Sequence, residues 1–206
     1  MTNYFCFDVG NVLCDVDFTD FLRELTEATG TDHDDVWFFL NRIQPLQDLG
    51  YVTMQNELRH CYKIKLEENS KIQEAWNNSV HPNPISMKHF EEIVGNPHKN
   101  QVAILSNIGT EHLALLGSRL GSKYNWCKMH MSCEIGHRKP SKMYYRSFLA
   151  EHPEFNSAEY VDDRQENLDM GHECGLRPNY LDTSKMTSDE VDSFWYDLKK
   201  RVIYQP

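Results

Sequence analysis

The spacing of apolar residues changes character along the chain. Tyr4-Phe5-Cys6-Phe7 is a short aromatic run with the length and composition of a buried strand. From Asp17 to Val80 the spacing is helical instead. Phe18, Phe21, Leu22 and Leu25 share one face, and Val36, Phe39, Leu40 and Ile43 share another. Further helical segments are expected over 54–62 and 70–77, with no strand in this stretch. His81-Pro82-Asn83-Pro84 and Gly95-Asn96-Pro97 then break the chain, with a helix between them. From Gln101 onward strand and helix alternate: strand 101–105; helix 110–120 with Leu113, Leu116 and Leu120 aligned; strand 126–131; helix 141–151; strand 160–161; helix 165–173. Thr187 and Glu190 form a capping box for a last helix whose apolar face is Val191, Phe194, Trp195 and Leu198.

Strands alternating with helices predict an α/β fold: a Rossmann-like, doubly wound parallel sheet. The helical block interrupts that sheet after its first strand, as an inserted all-helical cap. The expected division is a core of residues 1–16 and 82–206 and a cap of residues 17–81, with hinges near Asp15–Phe18 and His81–Pro84. No internal repeat or low-complexity segment is present.

Composition narrows the function classes. The chain of 206 residues has a formal net charge of -10 and no strong basic patch, since Lys199-Lys200-Arg201 is short, so a nucleic-acid partner is not expected. No stretch approaches the ~20 apolar residues of a membrane helix, so no membrane partner is expected. The N-terminal segment lacks a signal-peptide pattern, and the six cysteines make no CxxC pair. A cytoplasmic setting fits best, and the glycosylation-like Asn77-Asn78-Ser79 then carries no meaning. No apolar patch of interface size can be identified, which is compatible with a monomer.

Four polar positions follow the expected strands. Asp8 ends the first apolar run and is followed at once by Val9-Gly10-Asn11. It is either a cap for the next turn or a reacting carboxylate, because ligands of doubly wound sheets bind at the carboxyl ends of strands. Ser106-Asn107-Ile108-Gly109-Thr110 opens a helix and is either an ordinary Ser/Asn turn or an anion site. Glu134-Ile135-Gly136-His137-Arg138-Lys139-Pro140 is a basic cluster before a helix, readable alone as solvated charge. Asp162-Asp163 is the most telling of the four: adjacent carboxylates at a strand end repel unless a cation or donors compensate, and a loop cap needs only one.

Together, and in this order, these sites resemble the haloacid dehalogenase superfamily. Its pattern has a nucleophilic Asp after the first strand, Ser or Thr after the second, Lys before a later helix, and an acidic pair after the next strand. The resemblance covers Tyr4–Leu13 and Gln101–Leu176. Asp-Val-Gly-Asn-Val-Leu and Gly-His-Arg-Lys-Pro look like the helical-capped sugar-phosphate phosphatase branch, of the α-D-glucose-1-phosphate phosphatase type. The resemblance implies a phosphatase acting on a small phosphorylated metabolite, with Asp8 forming an aspartyl-phosphate. It implies Mg²⁺ on Asp8, the Gly10 carbonyl and Asp163, with Asp162 and Asn167 supporting the metal's waters or orienting Lys139. Ser106 and Lys139 would hold the phosphoryl oxygens, beside the Asn107 amide.

One position departs from the pattern. Many phosphatases of this superfamily carry an acid–base Asp two residues after the nucleophile, and here that residue is Gly10. General acid–base help contributes ~10²–10⁴-fold. Another group must supply the proton, or the substrate must leave easily, as a sugar 1-phosphate does, or turnover is slow. Asp15 and Asp17 are near in sequence but are expected in the hinge. Two other readings stay open: a metal-independent 2-haloacid dehalogenase, against which the acidic pair speaks, and a catalytically weak binding or regulatory module.

Other features have plainer readings. Cys127, His130 and Cys133 have zinc-like spacing, but a strand leading to the Lys139 loop accounts for them. Trp37-Phe38-Phe39 is expected mainly in the cap core. Arg42, Gln44 and Gln47 are candidates for the specificity face of the cap. His60, His81 and His112 have no evident partner.

Overall fold

The computed structural model describes residues 2–65 and 69–202. Strand β1 (Asn3–Phe7) leads into a turn and then β2 (Cys14–Val16). Four helices follow: α1 (Thr19–Thr29), α2 (His33–Asp48), α3 (Met54–Tyr62) and α4 (Ser70–Asn78). The chain returns through β3 (Val80–Pro82), α5 (Pro84–Val94) and β4 (Asn100–Ser106), then α6 (Thr110–Leu120), β5 (Lys128–Met131) and the one-turn α7 (Ser132–Ile135). It closes with α8 (Lys142–Glu151), β6 (Glu159–Asp162), α9 (Gln165–Glu173), β7 (Arg177–Tyr180) and α10 (Ser188–Val202).

Five strands form one parallel sheet in the order β5-β4-β1-β6-β7. Because side chains alternate across a strand, β1 feeds both faces. Phe5 and Phe7 join Phe90, Trp195 and Leu116, from α5, α10 and α6, on one face. Cys6 joins Tyr144, Tyr145 and Phe148 of α8 on the other. A sheet covered on both faces yields nearly continuous apolar strands, which is why β1 and β4 were legible as such. β1 is the central strand, and the chain winds first to its β4 side and then to its β6 side. The carboxyl end of β1 is therefore the switch point of the sheet, where the flanking connections diverge and leave a crevice.

Helices α1–α4 bury their stripes in a cluster of their own. Phe21, Leu22, Leu25, Val36, Phe39, Leu40, Ile43, Leu58, Ile72 and Trp76 pack together, apart from the two sheet faces. The chain enters and leaves this block along β2 and β3, paired as an antiparallel ribbon.

Several details differ from the sequence expectation. The ribbon was not expected, since three-residue strands carry too few alternations to read. Nor was β7, whose Arg-Pro-Asn-Tyr is polar because it is an edge strand with one partner. β4 extends to Ser106, and β5 begins only at Lys128 because residues 122–126 form a 3-10 turn. Trp37 and Phe38 do not join the core: they are 46% and 70% exposed. Successive helical residues point about 100° apart, so one buried stripe of α2 takes Val36, Phe39 and Leu40 and turns 37 and 38 outward. The capping box is present, with Thr187 N–H donating to Glu190 and Glu190 N–H to Thr187 Oγ1. No helix among the described residues is long and apolar enough to cross a membrane.

Candidate active site

Three neighbouring strands deliver the polar residues. Asp8 follows β1 directly, its N–H donating to Val161 O of β6 at 2.9 Å. Asp162 ends β6, and Asp163 follows. Parallel pairing puts all carboxyl ends at one edge of the sheet, so residues far apart in sequence converge there. Lys139 enters from the loop between α7 and α8 and is fully buried. Its Nζ contacts Asp8 Oδ1 at 2.9 Å and Asp162 Oδ2 at 2.7 Å and donates to Leu105 O at 2.8 Å. Those three acceptors match the three protons of an ammonium.

Each member is held by further bonds. The Asn107 carboxamide clamps the Lys139 main chain, donating to Lys139 O at 3.0 Å and accepting from Lys139 N–H at 2.8 Å. That is its position in the site: beside Lys139, with its oxygen already engaged. Asp162 accepts from Tyr160 Oη and Lys139 on one oxygen and from Arg164 N–H and Asn167 Nδ2 on the other. Its acceptor capacity is filled, so it holds Lys139 in place. Asp163 Oδ2 accepts from Asn11 Nδ2 at 3.0 Å. Asn11 adopts the left-handed conformation with φ 52°, which Asn tolerates better than most residues.

Three carboxylates face one ammonium here. Burial pushes the Asp8 carboxyl up to about 7; the Lys139 charge pulls it down, but Asp162 and Asp163 push it up again. Burial likewise raises Asp163, against the Asn11 hydrogen bond. For Lys139, burial works against its charge, yet Asp162 and Asp8 outweigh it and keep the amine above its ordinary value.

The remaining predicted residues lie around this core. Asp8, Gly10, Asn107, Lys139, Asp163 and Asn167 line one cleft together with Asn11, Gln44, Asp48, Arg138 and Arg164. Ser106 is buried at the end of β4 and lines a second, adjoining cavity beneath α2 and α4, together with Gly10, Asn107 and the helix start at Gly109. At Gly10 a Cβ would stand 3.2 Å from Val16 Cγ2, so the first turn packs against the ribbon where a side chain would begin. Asp15 does not reach the cleft: it accepts from Asn83 Nδ2 and Thr183 Oγ1 and ties the ribbon to the core. Asp17 accepts from Thr19 N–H at the start of α1.

Of the residues on the helical block, Gln44 and Gln47 line the second cavity and Arg42 does not. His112 lies there too. Its Nε2 is 3.1 Å from Trp76 O, and its ring stacks on Trp76 at 4.4 Å. Burial lowers the His112 pKa to about 4, so it is neutral at pH 7. His130 Nε2, on β5, lies 3.0 Å from Tyr144 O of α8, and Cys127 sits in the apolar core.

Four further contributors are given no individual role by the sequence: Asn11, Tyr160, Asp48 and Arg138, the last within the basic cluster. Asn11 carried a signal, as an Asn following a Gly in a turn. The others depend on which elements meet.

The donor set fits a hard divalent cation. Carboxylate oxygens of Asp8, Asp162 and Asp163 lie within 4.8 Å of one another, the sole such group of three metal-ligating side chains among the described residues. Asp8 Oδ2 and Asp163 Oδ1 accept no hydrogen bond from the described residues. Asn167 Oδ1 is buried and unpartnered at the same cleft. An uncompensated group of oxygen donors is what Mg²⁺ uses, with waters completing its shell.

No protein-family model matches the sequence, and no curated protein is significantly similar to it. Solved structures do match. A HAD-family enzyme from Bacteroides thetaiotaomicron, in complex with magnesium and inorganic phosphate, aligns over 92% of this chain and 99% of its own at 17% identity and TM-score 0.74. A predicted HAD-like hydrolase from Porphyromonas gingivalis aligns over 94% and 97% at 19% identity and TM-score 0.73. An L-2-haloacid dehalogenase from Xanthobacter autotrophicus, with chloropropionic acid covalently bound, aligns over 92% and 80% at 12% identity and TM-score 0.59. From the parallel sheet, its switch-point crevice and these alignments, the chain has the haloacid dehalogenase fold.

Proposed function

We propose that this protein is a Mg²⁺-dependent phosphatase that hydrolyses a small phosphomonoester through an aspartyl-phosphate on Asp8. The observation that carries this reading is the Asp8–Asp162–Asp163 group around the buried Lys139, whose excess negative charge calls for a cation. The magnesium and phosphate bound by the Bacteroides enzyme support it. Residues 17–81 are taken as the cap and the remainder as the core.

Asp8, the Gly10 carbonyl and Asp163 would hold the ion, and Asn167 would orient its waters. The ion would neutralise the charge of the phosphoryl dianion. Asp8 Oδ2, without a hydrogen-bond donor among the described residues, attacks phosphorus while the ester bond breaks. Lys139, anchored to Asp162 and Leu105 O, keeps Asp8 oriented and ionised, and Asn107 bounds the phosphoryl group from the β4 side, with Ser106 on the adjoining cavity. Water then attacks phosphorus and releases Asp8. Most of the acceleration is positioning and electrostatics, as in other phosphoryl transfers.

A second reading, attack of Asp8 on the halogen-bearing carbon of a 2-haloacid, is favoured by the alignment with the dehalogenase. That chemistry needs no metal and leaves the Asp163 carboxylate without a task. Hydrolysis of p-nitrophenyl phosphate decides between them. Turnover is expected with Mg²⁺, and none with EDTA or in Asp8→Asn; metal-independent activity, or full activity in Asp8→Asn, overturns the phosphatase. A sugar 1-phosphate, whose anomeric oxygen leaves readily, is the substrate type that the bare Gly10 position suits best.

A further inference from the structure

The Asp8 cleft and the adjoining cavity are separate in character but share a wall. The cleft is polar and contains Asp8, Lys139 and Asp163. The cavity, about 620 Å³ with its open mouth, is lined on its far side by Phe18, Leu40, Trp76, Val80 and Ile108. Gly10, Val16, Gln44, Asp48 and Asn107 border both. Given the phosphatase reading, on which this inference rests, a phosphoryl group in the cleft and an organic group in the cavity put the bridging ester oxygen at the shared wall. That oxygen needs a proton as it leaves, and Gly10 cannot provide one. Among the five shared residues, only Asp48 has a side chain that titrates in the useful range. We infer that Asp48, at the end of cap helix α2, is the proton donor to the leaving oxygen.

The structure holds Asp48 as a catalytic acid should be held. It is 5% exposed, and its Oδ2 is 2.9 Å from Arg138 Nη2, in the residue before Lys139. The end of α2 is wedged against the core on both sides of it. Gln47 packs on Gly109, where a Cβ would lie 3.4 Å from Gln47 Cβ, and Gly50 abuts Cys133, where a Cβ would lie 2.8 Å from Cys133 O. Burial raises the Asp48 carboxyl to about 6, against the charges of Arg138, Lys139 and Arg164 that face it; the Cys133 thiol is also near. A carboxyl poised near neutrality can give a proton and take one back.

In the first step the Asp48 proton moves to the bridging oxygen, the P–O(ester) electron pair goes to that oxygen, and an Asp8 oxygen bonds to phosphorus. The organic product leaves as an alcohol, and Asp48 is a carboxylate. In the second step Asp48 takes a proton from the water whose oxygen bonds to phosphorus, the P–O(Asp8) pair returns to Asp8, and phosphate leaves. Asp48 ends protonated, as it began.

The test compares wild type, Asp48→Asn and Asp48→Glu with Mg²⁺ on p-nitrophenyl phosphate and on the unactivated esters glycerol 2-phosphate and glucose 6-phosphate. Asp48→Asn is expected to lose ~10²-fold or more in kcat/KM, which reports the first step alone, on an alkyl ester and under ~10-fold in kcat/KM on the nitrophenyl ester, which leaves without a proton. Asp48→Glu is expected to recover part of the alkyl activity. A merely structural Asp48 would lower both alike. Equal losses, no loss on the alkyl esters, or a wild type active on the nitrophenyl ester alone overturns the inference and leaves the phosphatase standing. A wild type inert on all three overturns both. Should Asp48→Asn not fold, wild-type kcat/KM across aryl phosphates of rising leaving-group pKa decides: a shallow dependence supports the proton donor, and a steep one overturns it.

Discussion

Lys139 and Asp8 form a buried ion pair, Nζ to Oδ1 at 2.9 Å, in which the lysine is shared with Asp162. Breaking a buried pair by removing one partner leaves uncompensated charge, at a cost of ~3–5 kcal/mol. Lys139→Met should therefore lose about that much stability in chemical denaturation with EDTA, and lose activity as well. A loss below ~1 kcal/mol would mean that the carboxylates take up protons and dispense with the lysine.

Asp8 makes the metal-free protein less stable as pH rises. Its pKa is near ~3.9 unfolded and about 7 folded. Between these values the native state binds more protons than the unfolded state, so unfolding free energy falls with pH and levels off above about 7. Removing the charge removes the penalty: in EDTA at about pH 8, Asp8→Asn should be more stable than wild type by on the order of 1–3 kcal/mol, shrinking toward zero near pH 4. Thermal melts at the two pH values check it; an Asp8→Asn protein less stable than wild type at pH 8 contradicts it.

Asn11 fixes one oxygen of Asp163 from 152 residues away. Partners that orient a metal's carboxylate are worth ~10–100-fold in affinity. Asn11→Gly removes the donor while accepting the same left-handed backbone, so it should weaken Mg²⁺ binding by ~10–100-fold, measured by calorimetric titration. Unchanged affinity would make Asn11 a turn residue only.

Glu111, in the first turn of α6, accepts from Met54 N–H at 2.7 Å and Gln55 N–H at 3.2 Å and so caps α3 from outside. Its charge also suits that helix's positive end. Glu111→Ala should cost ~0.5–2 kcal/mol, by analogy with a lost cap. Hydrogen exchange should rise at the start of α3 while β1 and β4 amides stay protected; uniform change across the sheet would argue against a local role.

The fold was largely legible in sequence because its signals are local. Helices α3, α6 and α9 have the expected bounds, Met54–Tyr62, Thr110–Leu120 and Gln165–Glu173. The β2–β3 ribbon and β7 were not legible: a three-residue strand or a polar edge strand has no periodicity of its own. Among the site residues, Asp8, Lys139, Asp162 and Asp163 stand out as charges at strand ends or before a helix, and they meet at one point, Asp162 buried and the other three lining the cleft. Asp48 did not stand out, because a carboxylate near the end of a helix is ordinary until one knows what the helix touches.

By itself, the sequence determined the helices and the apolar strands and which residues bring charge to the ends of those strands, because side-chain periodicity acts over a few residues. Only the tertiary structure decided that Lys139 is saturated by Asp8, Asp162 and a carbonyl, that Trp37 and Phe38 face outward, and that Asp48 stands where two cavities meet. Those outcomes follow from the register of β4, β1 and β6 and the seating of α2 on the core. Burial and charge balance are properties of everything that converges on a point, and no stretch of chain carries them alone.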